Sequence, residues 1–149
     1  MKLTSALFSA LLGSAMAAPL ETRIVAQEFD VSEFTAGCVP HGTQCSIAFN
    51  VATNQMPYQT HCTFTGAPLG TGSLPDVGFT KCQDPTIIWS FRRVIAGDGA
   101  APFYEFALAT AEQSLAASTF FPGSDFPLIN AGSSFHQQFT GNGRFVVKP

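Results

Sequence analysis

The chain has 149 residues, a length that suits one domain, and its 7 basic and 10 acidic residues give a formal net charge of −3. Charged residues make up only 11% of the chain and Phe occurs 15 times, a composition that predicts a substantial core and excludes intrinsic disorder. Apart from Arg92 and Arg93 the basic residues do not cluster, which excludes the basic patch that nucleic-acid binding requires.

The amino-terminal residues have the pattern of a secretory leader. A positive start and an apolar run over residues 3–12 precede Ala15-Met16-Ala17, which places small residues at both positions that a signal peptidase reads. The run is shorter than the roughly 20 apolar residues that span a bilayer, and no second run of spanning length follows. We predict a signal peptide over residues 1–17, cleavage between Ala17 and Ala18, and a short lead-in or pro-segment over residues 18–27.

From residue 28 onward, short strand-like segments alternate with turn signals, a rhythm typical of all-β proteins. In EFDVSEF, over residues 28–34, the apolar residues change phase, so the orientation of this segment stays open. The segment CSIAFNV alternates most regularly, with Cys45, Ile47, Phe49 and Val51 on one face, and predicts a half-buried strand.

Later segments continue the same rhythm. Strands are predicted in residues 58–66, 86–97 and 103–110, and a Gly/Pro-rich loop in residues 67–78. Residues 111–118 have helical composition but also fit a turn. The final segment, residues 135–147, predicts a hairpin with Gly141-Asn142-Gly143 at its tip in positive φ. Eight or more strands, with no repeat or linker, predict one antiparallel β-barrel or sandwich domain over residues 28–149.

Four cysteines in an exported chain of this size predict two disulfides, for which three pairings exist. Their spacing favours Cys38–Cys45, which closes a tight loop, and Cys62–Cys82, which ties the two ends of a longer segment. The alternative is a zinc site, but gaps of six and nineteen residues do not fit the C-x2–4-C pairs of zinc ligands.

The sequence offers few groups for catalysis. His41, His61 and His136 accompany no nucleophile elbow and no metal-ligand spacing, and we interpret them as polar surface residues. Glu105 lies in PFYEFAL, which is similar to the strand that carries the glutamate base of small secreted fungal ribonucleases. Arg144 follows it, but no histidine comes after Arg144, so the order of residues does not match. We predict no catalytic residue, no metal site and no cofactor.

Two further features admit two interpretations each. Arg92 and Arg93 admit a contact with a phosphate or an acidic partner, but they point to opposite faces of a strand and so form no single patch on their own. The other interpretation is that one of them is solvated and the other forms a salt bridge at the end of the strand. The surplus of Phe, including Phe120, Phe121 and Phe126, predicts either ordinary core filling or an exposed apolar patch for a ligand or partner.

The segments AAPLETR, FDVSEFTAG, CSIAFNV and HCTF…FTKC resemble the secreted β-barrel proteins related to the major allergen of Alternaria. Within that family the chain is most similar to small elicitors of fungal plant pathogens that induce a hypersensitive response in leaves. The resemblance covers most of the mature chain and rests on strand rhythm and cysteine placement. Cys62 and Cys82 match the family's pair that ties adjoining strands, and Cys38 and Cys45 resemble the turn-closing pair of the elicitor-like members.

The resemblance implies an antiparallel β-barrel, an extracellular location, recognition by plant or animal hosts and no catalytic residues. The chain lacks the carboxy-terminal cysteine pair and the amino-terminal dimer-linking cysteine of the allergen branch, so we expect a monomer or a non-covalent dimer. Because binding function concentrates in loops, the Gly66–Val77 segment is the predicted partner-binding loop. Its candidate residues are Pro68, Leu69, Leu74 and Asp76.

These observations together predict a secreted, non-enzymatic effector or elicitor, active in virulence or defence induction. Its expected partner is a host plant protein or cell-surface receptor, with no nucleic acid, no membrane span and no cofactor. One alternative is a carrier of a small apolar ligand in a barrel cavity. The other is a secreted hydrolase or ribonuclease, which requires His and Glu side chains that converge in one cleft.

Overall fold

The computed structural model describes residues 28–56 and 58–149. The predicted signal peptide, its cleavage point between Ala17 and Ala18, and the lead-in over residues 18–27 lie outside the described residues. Within the described residues, no helix is long and apolar enough to cross a membrane.

Ten β-strands and one short 3-10 helix make up the described chain. The strands are β1 Phe29–Cys38, β2 Cys45–Thr53, β3 Thr60–Gly66, β4 Val77–Lys81, β5 Ile87–Val94, β6 Phe103–Thr110, β7 Ala116–Pro122, β8 Leu128–Asn130, β9 Phe135–Gln137 and β10 Phe145–Val147. The 3-10 helix, Gly123–Asp125, lies between β7 and β8. Residues 111–115 form a turn before β7, so the turn interpretation of residues 111–118 holds and the helical one does not.

The strands form two four-stranded sheets and one separate hairpin. The first sheet has the order β10-β1-β2-β3, the second has the order β4-β5-β6-β7, and β8 pairs with β9. All of these pairs are antiparallel. The predicted all-β antiparallel class is therefore confirmed, and of its two alternatives the sheets form a sandwich-like arrangement, not a closed barrel.

Aromatic side chains fill the space between the two sheets. On β2, the residues Cys45, Ile47, Phe49 and Val51 are all buried, as their alternation predicts. The ring of Phe49 meets the rings of Trp89 and Phe106 from the second sheet edge-on, at centroid distances of 5.0 and 5.1 Å. Such edge-to-face pairs add to the free energy gained by burying the rings, so this cluster joins the two sheets.

Both predicted disulfides are confirmed. Cys38 and Cys45 join the end of β1 to the start of β2, while Cys62 on β3 bonds to Cys82, which follows β4. The first bond closes a hairpin within one sheet, whereas the second links the first sheet to the second. Because all four cysteines are bonded, the alternative of a zinc site is excluded.

A β-bulge in β1 explains why the orientation of residues 28–34 was open. Ser32 pairs with Asn50 and Thr35 pairs with Ala48, so two residues of β1 lie opposite one residue of β2. Glu33 absorbs the extra length with φ of 55°. In a regular strand, residues three apart point to opposite faces. Because the bulge shifts the alternation by one residue, Val31 and Phe34 both point into the core.

The predicted hairpin over residues 135–147 is wrong. Its first segment, β9, pairs with β8, and its second segment, β10, pairs with β1. Gly141 and Gly143 do not adopt positive φ. The carbonyl of Gly143 accepts a hydrogen bond from the N–H of Phe34 at 2.9 Å, so this stretch docks on the bulge of β1 and leads β10 to the edge of the first sheet.

The phenylalanines singled out in the sequence differ in burial. Phe126 is buried and Phe121 packs partly buried against the core, whereas Phe120 is exposed.

The two arginines also differ. Arg92 forms an ion pair with Glu105 on the neighbouring strand, and the backbone N–H of Arg93 donates to Asp76 Oδ1 at 2.8 Å.

Candidate functional site

Three loops meet at one end of the sandwich and form what we call the loop face. They are the disulfide-closed loop 39–44, the loop 67–76 between β3 and β4, and the turn 131–134 with Phe135 at the tip of the β8–β9 hairpin. The loops enclose a depression of about 590 Å³ that opens to solvent. The residues that line it are Val39, His41, Gly42, Pro68, Gly70, Thr71, Gly72, Ser133, Ser134 and Phe135.

The first loop is held by covalent and backbone bonds. The N–H of Val39 donates to the carbonyl of Gln44 at 2.9 Å, directly beyond the Cys38–Cys45 disulfide, and the N–H of Gly42 donates back to Val39 at 2.9 Å. His41 takes φ of 55° in this turn. The loop therefore has a defined shape and presents Val39 to solvent.

The second loop turns tightly and approaches the hairpin closely. Leu69 and Ser73 exchange two backbone hydrogen bonds of 2.8 and 3.2 Å. Gly72 has φ of 108°, and a Cβ there would lie 2.1 Å from the carbonyl oxygen of Phe135. Only glycine fits this position, because any side chain would push the hairpin away from the loop.

Hydrogen bonds from Gln137 and Ser134 cross-link the three loops. The N–H of Gln137 donates to Gly72 O at 2.9 Å, and its side-chain Oε1 accepts the N–H of Leu74 at 2.9 Å. The hydroxyl of Ser134 accepts the N–H of His41 at 3.3 Å, across 93 residues of sequence. The loop face is consequently preformed, which lowers the entropy that a partner has to remove on binding.

The exposed points of the loop face are apolar side chains. Val39, Leu69 and Phe135 are 56%, 52% and 51% exposed, one from each of the three loops. Within the described part of the chain, the lining residues include no Lys, Arg, Asp or Glu. Exposed apolar groups set in polar uncharged surroundings are typical of a contact surface for another molecule.

The structure separates the four residues of the predicted partner-binding loop. Pro68 lines the depression of the loop face, and its neighbour Leu69 is exposed in the same loop but does not line the depression. Leu74 is buried in the core. Asp76 is exposed but lines a different groove, beside Arg92 on the second sheet. The predicted segment thus contributes to the loop face through its first half.

Sequence reasoning missed the contributions of Val39 and Phe135. Neither lies in the Gly/Pro-rich loop, and each reaches the loop face only through contacts between distant segments. The closest sequence signal was the turn that the Cys38–Cys45 spacing predicts, since a disulfide-closed turn projects its central residues from the end of a hairpin.

The three histidines occupy different environments. His41 lies in the exposed turn of the loop face, and His136 is buried, so the surface interpretation is wrong for His136. Its Nδ1 makes no hydrogen bond with the described part of the chain. His61 Nδ1 contacts Asn50 Oδ1 at 2.9 Å, and Asn50 Nδ2 in turn donates to Glu33 Oε2 at 2.6 Å. This chain of contacts runs across β1, β2 and β3 on the outer side of the first sheet.

The remaining candidate for proton transfer is Glu105. It points away from buried Tyr104 and Phe106, as the alternation predicts, and pairs with Arg92. Among residues 28–56 and 58–149, no three His, Cys, Asp or Glu side chains are grouped as metal ligands.

One polar cluster at the start of β3 shifts pKa values. The hydroxyl and backbone N–H of Thr86 both donate to Asp84, and these hydrogen bonds lower the pKa of the Asp84 carboxyl. Tyr58 donates its hydroxyl to Asp84 at 2.9 Å, and that bond raises the pKa of Tyr58. The cluster connects the approach to β3 with the β4–β5 turn, so it supports the fold and lies outside the loop face.

Comparisons of the chain with protein-family models, with curated proteins and with solved structures found no match. The loop face therefore provides the main structural basis for a functional hypothesis.

Proposed function

We propose that the protein is a secreted, non-enzymatic recognition protein, a fungal effector or elicitor that a host plant protein or cell-surface receptor binds through the loop face. The observation that carries the proposal is the preformed loop face: it has one exposed apolar residue from each of its loops, and no Lys, Arg, Asp or Glu lines its depression. The sequence resemblance to fungal elicitors supplies the biological setting.

The disulfides are compatible with an extracellular location. Cys38–Cys45 and Cys62–Cys82 persist in oxidising surroundings, where glutathione does not reduce them. The first of these bonds also fixes one of the three loops of the loop face. A covalently closed loop keeps its shape among extracellular proteases, and this favours a role in which a folded surface is recognised.

No specific observation favours the carrier alternative. A ligand between the sheets would need the space that the rings of Phe34, Phe49 and Phe106 occupy, and these rings lie 5.1 to 6.0 Å apart by centroid. The hydrolase alternative requires converging acid and base groups, whereas Glu105 is engaged by Arg92 and His61 by Asn50.

The proposal predicts that Phe135→Ser weakens the leaf response and that Phe120→Ser does not. Both rings are exposed, but Phe135 lies on the loop face and Phe120 on the second sheet. Loss of a central apolar contact costs 2 kcal/mol or more at a binding hot spot, so the Phe135→Ser dose-response curve is expected to move by roughly thirtyfold. The measurement is infiltration of purified, folded protein into leaves over a range of doses, beside heat-denatured protein.

A second set of variants separates recognition from catalysis. Alanine replacements of His41, His61, His136 and Glu105 remove the candidate proton-transfer groups, and a catalytic group contributes about 10²–10⁴-fold to rate. We expect the folded variants at His61 and Glu105 to keep full activity in the leaf. Complete loss with one of them, together with an unchanged response to Phe135→Ser, would establish the hydrolase alternative in place of the proposal.

A further inference from the structure

The outer face of the second sheet carries two exposed aromatic rings. Phe79 on β4 is 62% exposed and Phe120 on β7 is 57% exposed, and these strands form the two edges of the sheet. Single exposed apolar side chains are ordinary, but several on one face of a sheet are typical of a contact surface.

A β-bulge turns Phe79 outward. Simple alternation from buried Val77 would direct Phe79 into the core, but Val77 pairs with Phe91 and Thr80 pairs with Trp89. Two residues of β4, Gly78 and Phe79, therefore lie opposite a single residue of β5. Bulges re-aim side chains in this way and occur frequently beside functional sites.

A groove with a shallow floor starts at Phe79 and reaches as far as Glu105, which lies next to Phe120 on the neighbouring strand. Its volume next to Phe79 is about 400 Å³, and Ser90, Arg92 and Glu105 line it. Ser90, Ala107 and Ser118 lie in register across three strands, and because their side chains are small, they project little from the outer face of the sheet. A Cβ at Gly78 would meet no atom within 4 Å, so the groove is also open beside the bulge.

Paired charges lie in the middle of this surface. Arg92 forms an ion pair with Glu105, and Glu105 lies directly opposite Phe120 in the register of β6 and β7. The Arg92 side chain is 64% exposed, so guanidinium N–H groups face solvent beside a carboxylate. Asp76 adds one more negative charge to the lining, which makes the groove unfavourable for an anionic ligand.

We propose that this groove, together with the adjoining surface as far as Phe120, binds a neutral oligosaccharide. A sugar ring presents an apolar C–H face that stacks on an exposed aromatic ring, and a rim of hydroxyls that both donate and accept hydrogen bonds. Arg92 supplies donors and Glu105 supplies an acceptor for that rim, and the two rings supply the stacking surfaces. The distance across the four strands, about 14 Å from the usual strand spacing, suits a short oligosaccharide and exceeds a single sugar.

The groove is separate from the loop face. Phe79, Phe120, Arg92 and Glu105 do not line the depression at the end of the sandwich. Failure of the oligosaccharide proposal therefore leaves the proposed recognition function standing, and the reverse also holds.

The test is an NMR titration of the mature protein with a soluble cello-oligosaccharide and a soluble chito-oligosaccharide. We expect concentration-dependent shifts of backbone amides at Phe79, Ser90 and Phe120 with one of them. Phe79→Ala and Phe120→Ala are each expected to weaken binding about tenfold, because each removes one stacking surface. Leu69→Ala, which removes a similarly exposed apolar side chain from the loop face, is the matched control and is expected to bind as the natural protein does.

A variant that keeps both rings makes the test independent of their removal. Gly78→Leu places a side chain in the open part of the groove and is expected to abolish the shifts while the protein stays folded by circular dichroism. The proposal is overturned if neither oligosaccharide shifts these amides at about 1 mM, or if the shifts persist in the double variant of Phe79 and Phe120. Tighter binding of an anionic oligogalacturonate would likewise overturn it, since the groove disfavours negative charge.

Discussion

Gln137 shows how one buried side chain holds the loop face together. Its amide nitrogen donates to the hydroxyl of Tyr104 and to the carbonyl of Phe126, while its Oε1 accepts the N–H of Leu74. Each of these groups is removed from water, so each needs the partner that Gln137 provides. The same residue donates its backbone N–H to Gly72, so the core and the loop face share one connection.

Replacing Gln137 by Leu is expected to lower the free energy of unfolding by about 2–4 kcal/mol, because it leaves the N–H of Leu74 and the carbonyl of Phe126 buried without partners. Urea unfolding followed by circular dichroism measures the change. Gln138→Leu alters an exposed neighbour and is expected to stay within about 0.5 kcal/mol of the natural protein. Equal stability of the two variants would contradict this account of Gln137.

Two leucines in one loop show that local sequence does not predict which residues of a loop are buried. Leu69 and Leu74 lie in the same Gly/Pro-rich segment, and nothing local distinguishes an exposed leucine from a buried one there. Leu74 is buried against a distant part of the chain, and its N–H donates to Gln137, which is 63 residues away. A contact over that distance leaves no periodic signal in the segment itself.

The Asp84 cluster predicts a pH dependence with a definite sign. Hydrogen bonds from Thr86 lower the pKa of Asp84 in the folded protein below its unfolded value of about 3.9. Its contribution to stability is therefore present above that value and is lost as the pH falls through the lower folded pKa.

Thr86→Val removes the hydroxyl donor, so an NMR titration of the Asp84 side chain is expected to show a higher pKa. The control is Thr63→Val, which alters an exposed threonine on β3 and is expected to leave the titration curve of Asp84 unchanged. An unchanged titration curve with Thr86→Val would refute the assignment.

At the scale of elements, the alternation of apolar residues predicts a strand correctly wherever the strand is regular. Cys45–Thr53 and Phe103–Thr110 bury the residues that alternation selects. It fails at the two bulges, where one extra residue reverses the faces: Phe34 turns inward after Glu33, and Phe79 turns outward beside Gly78. The prediction of the last hairpin is wrong for a related reason. Contacts with distant segments decide which strands pair, and β10 pairs with β1, not with β9.

The bulge at Glu33 is expected to tolerate glycine better than a β-branched residue. Glu33 has φ of 55°, a conformation that costs little for glycine and most for valine. Glu33→Gly and Glu33→Val both remove the carboxylate that Asn50 contacts, so their difference isolates the backbone. Glu33→Val is expected to be less stable by about 1–2 kcal/mol in urea unfolding. Equal stability would show that the left-handed conformation is relaxed on substitution.

At the scale of the whole molecule, the two disulfides have different roles because they join different parts. Cys38–Cys45 spans 7 residues and lies within one hairpin, at the base of a loop of the loop face. Cys62–Cys82 spans 20 residues and ties the first sheet to the second. The spacing of the cysteines was sufficient to predict both bonds, but the separate roles follow from the arrangement of the sheets, which the spacing does not contain.

Removing the two disulfides one at a time is therefore expected to separate stability from recognition. In the loop-closure model, the longer loop contributes about 3.3 kcal/mol and the shorter about 2.5 kcal/mol, so a Cys62→Ser/Cys82→Ser variant is expected to be the less stable one in urea. A Cys38→Ser/Cys45→Ser variant is expected to stay folded at room temperature but to lose leaf activity, because Val39 and the turn at His41 lose their fixed shape. Infiltration at a temperature where both variants are folded makes the comparison. If the Cys38→Ser/Cys45→Ser variant keeps full activity while Phe135→Ser loses it, the disulfide-closed loop is not part of the contact, and recognition rests on the other two loops.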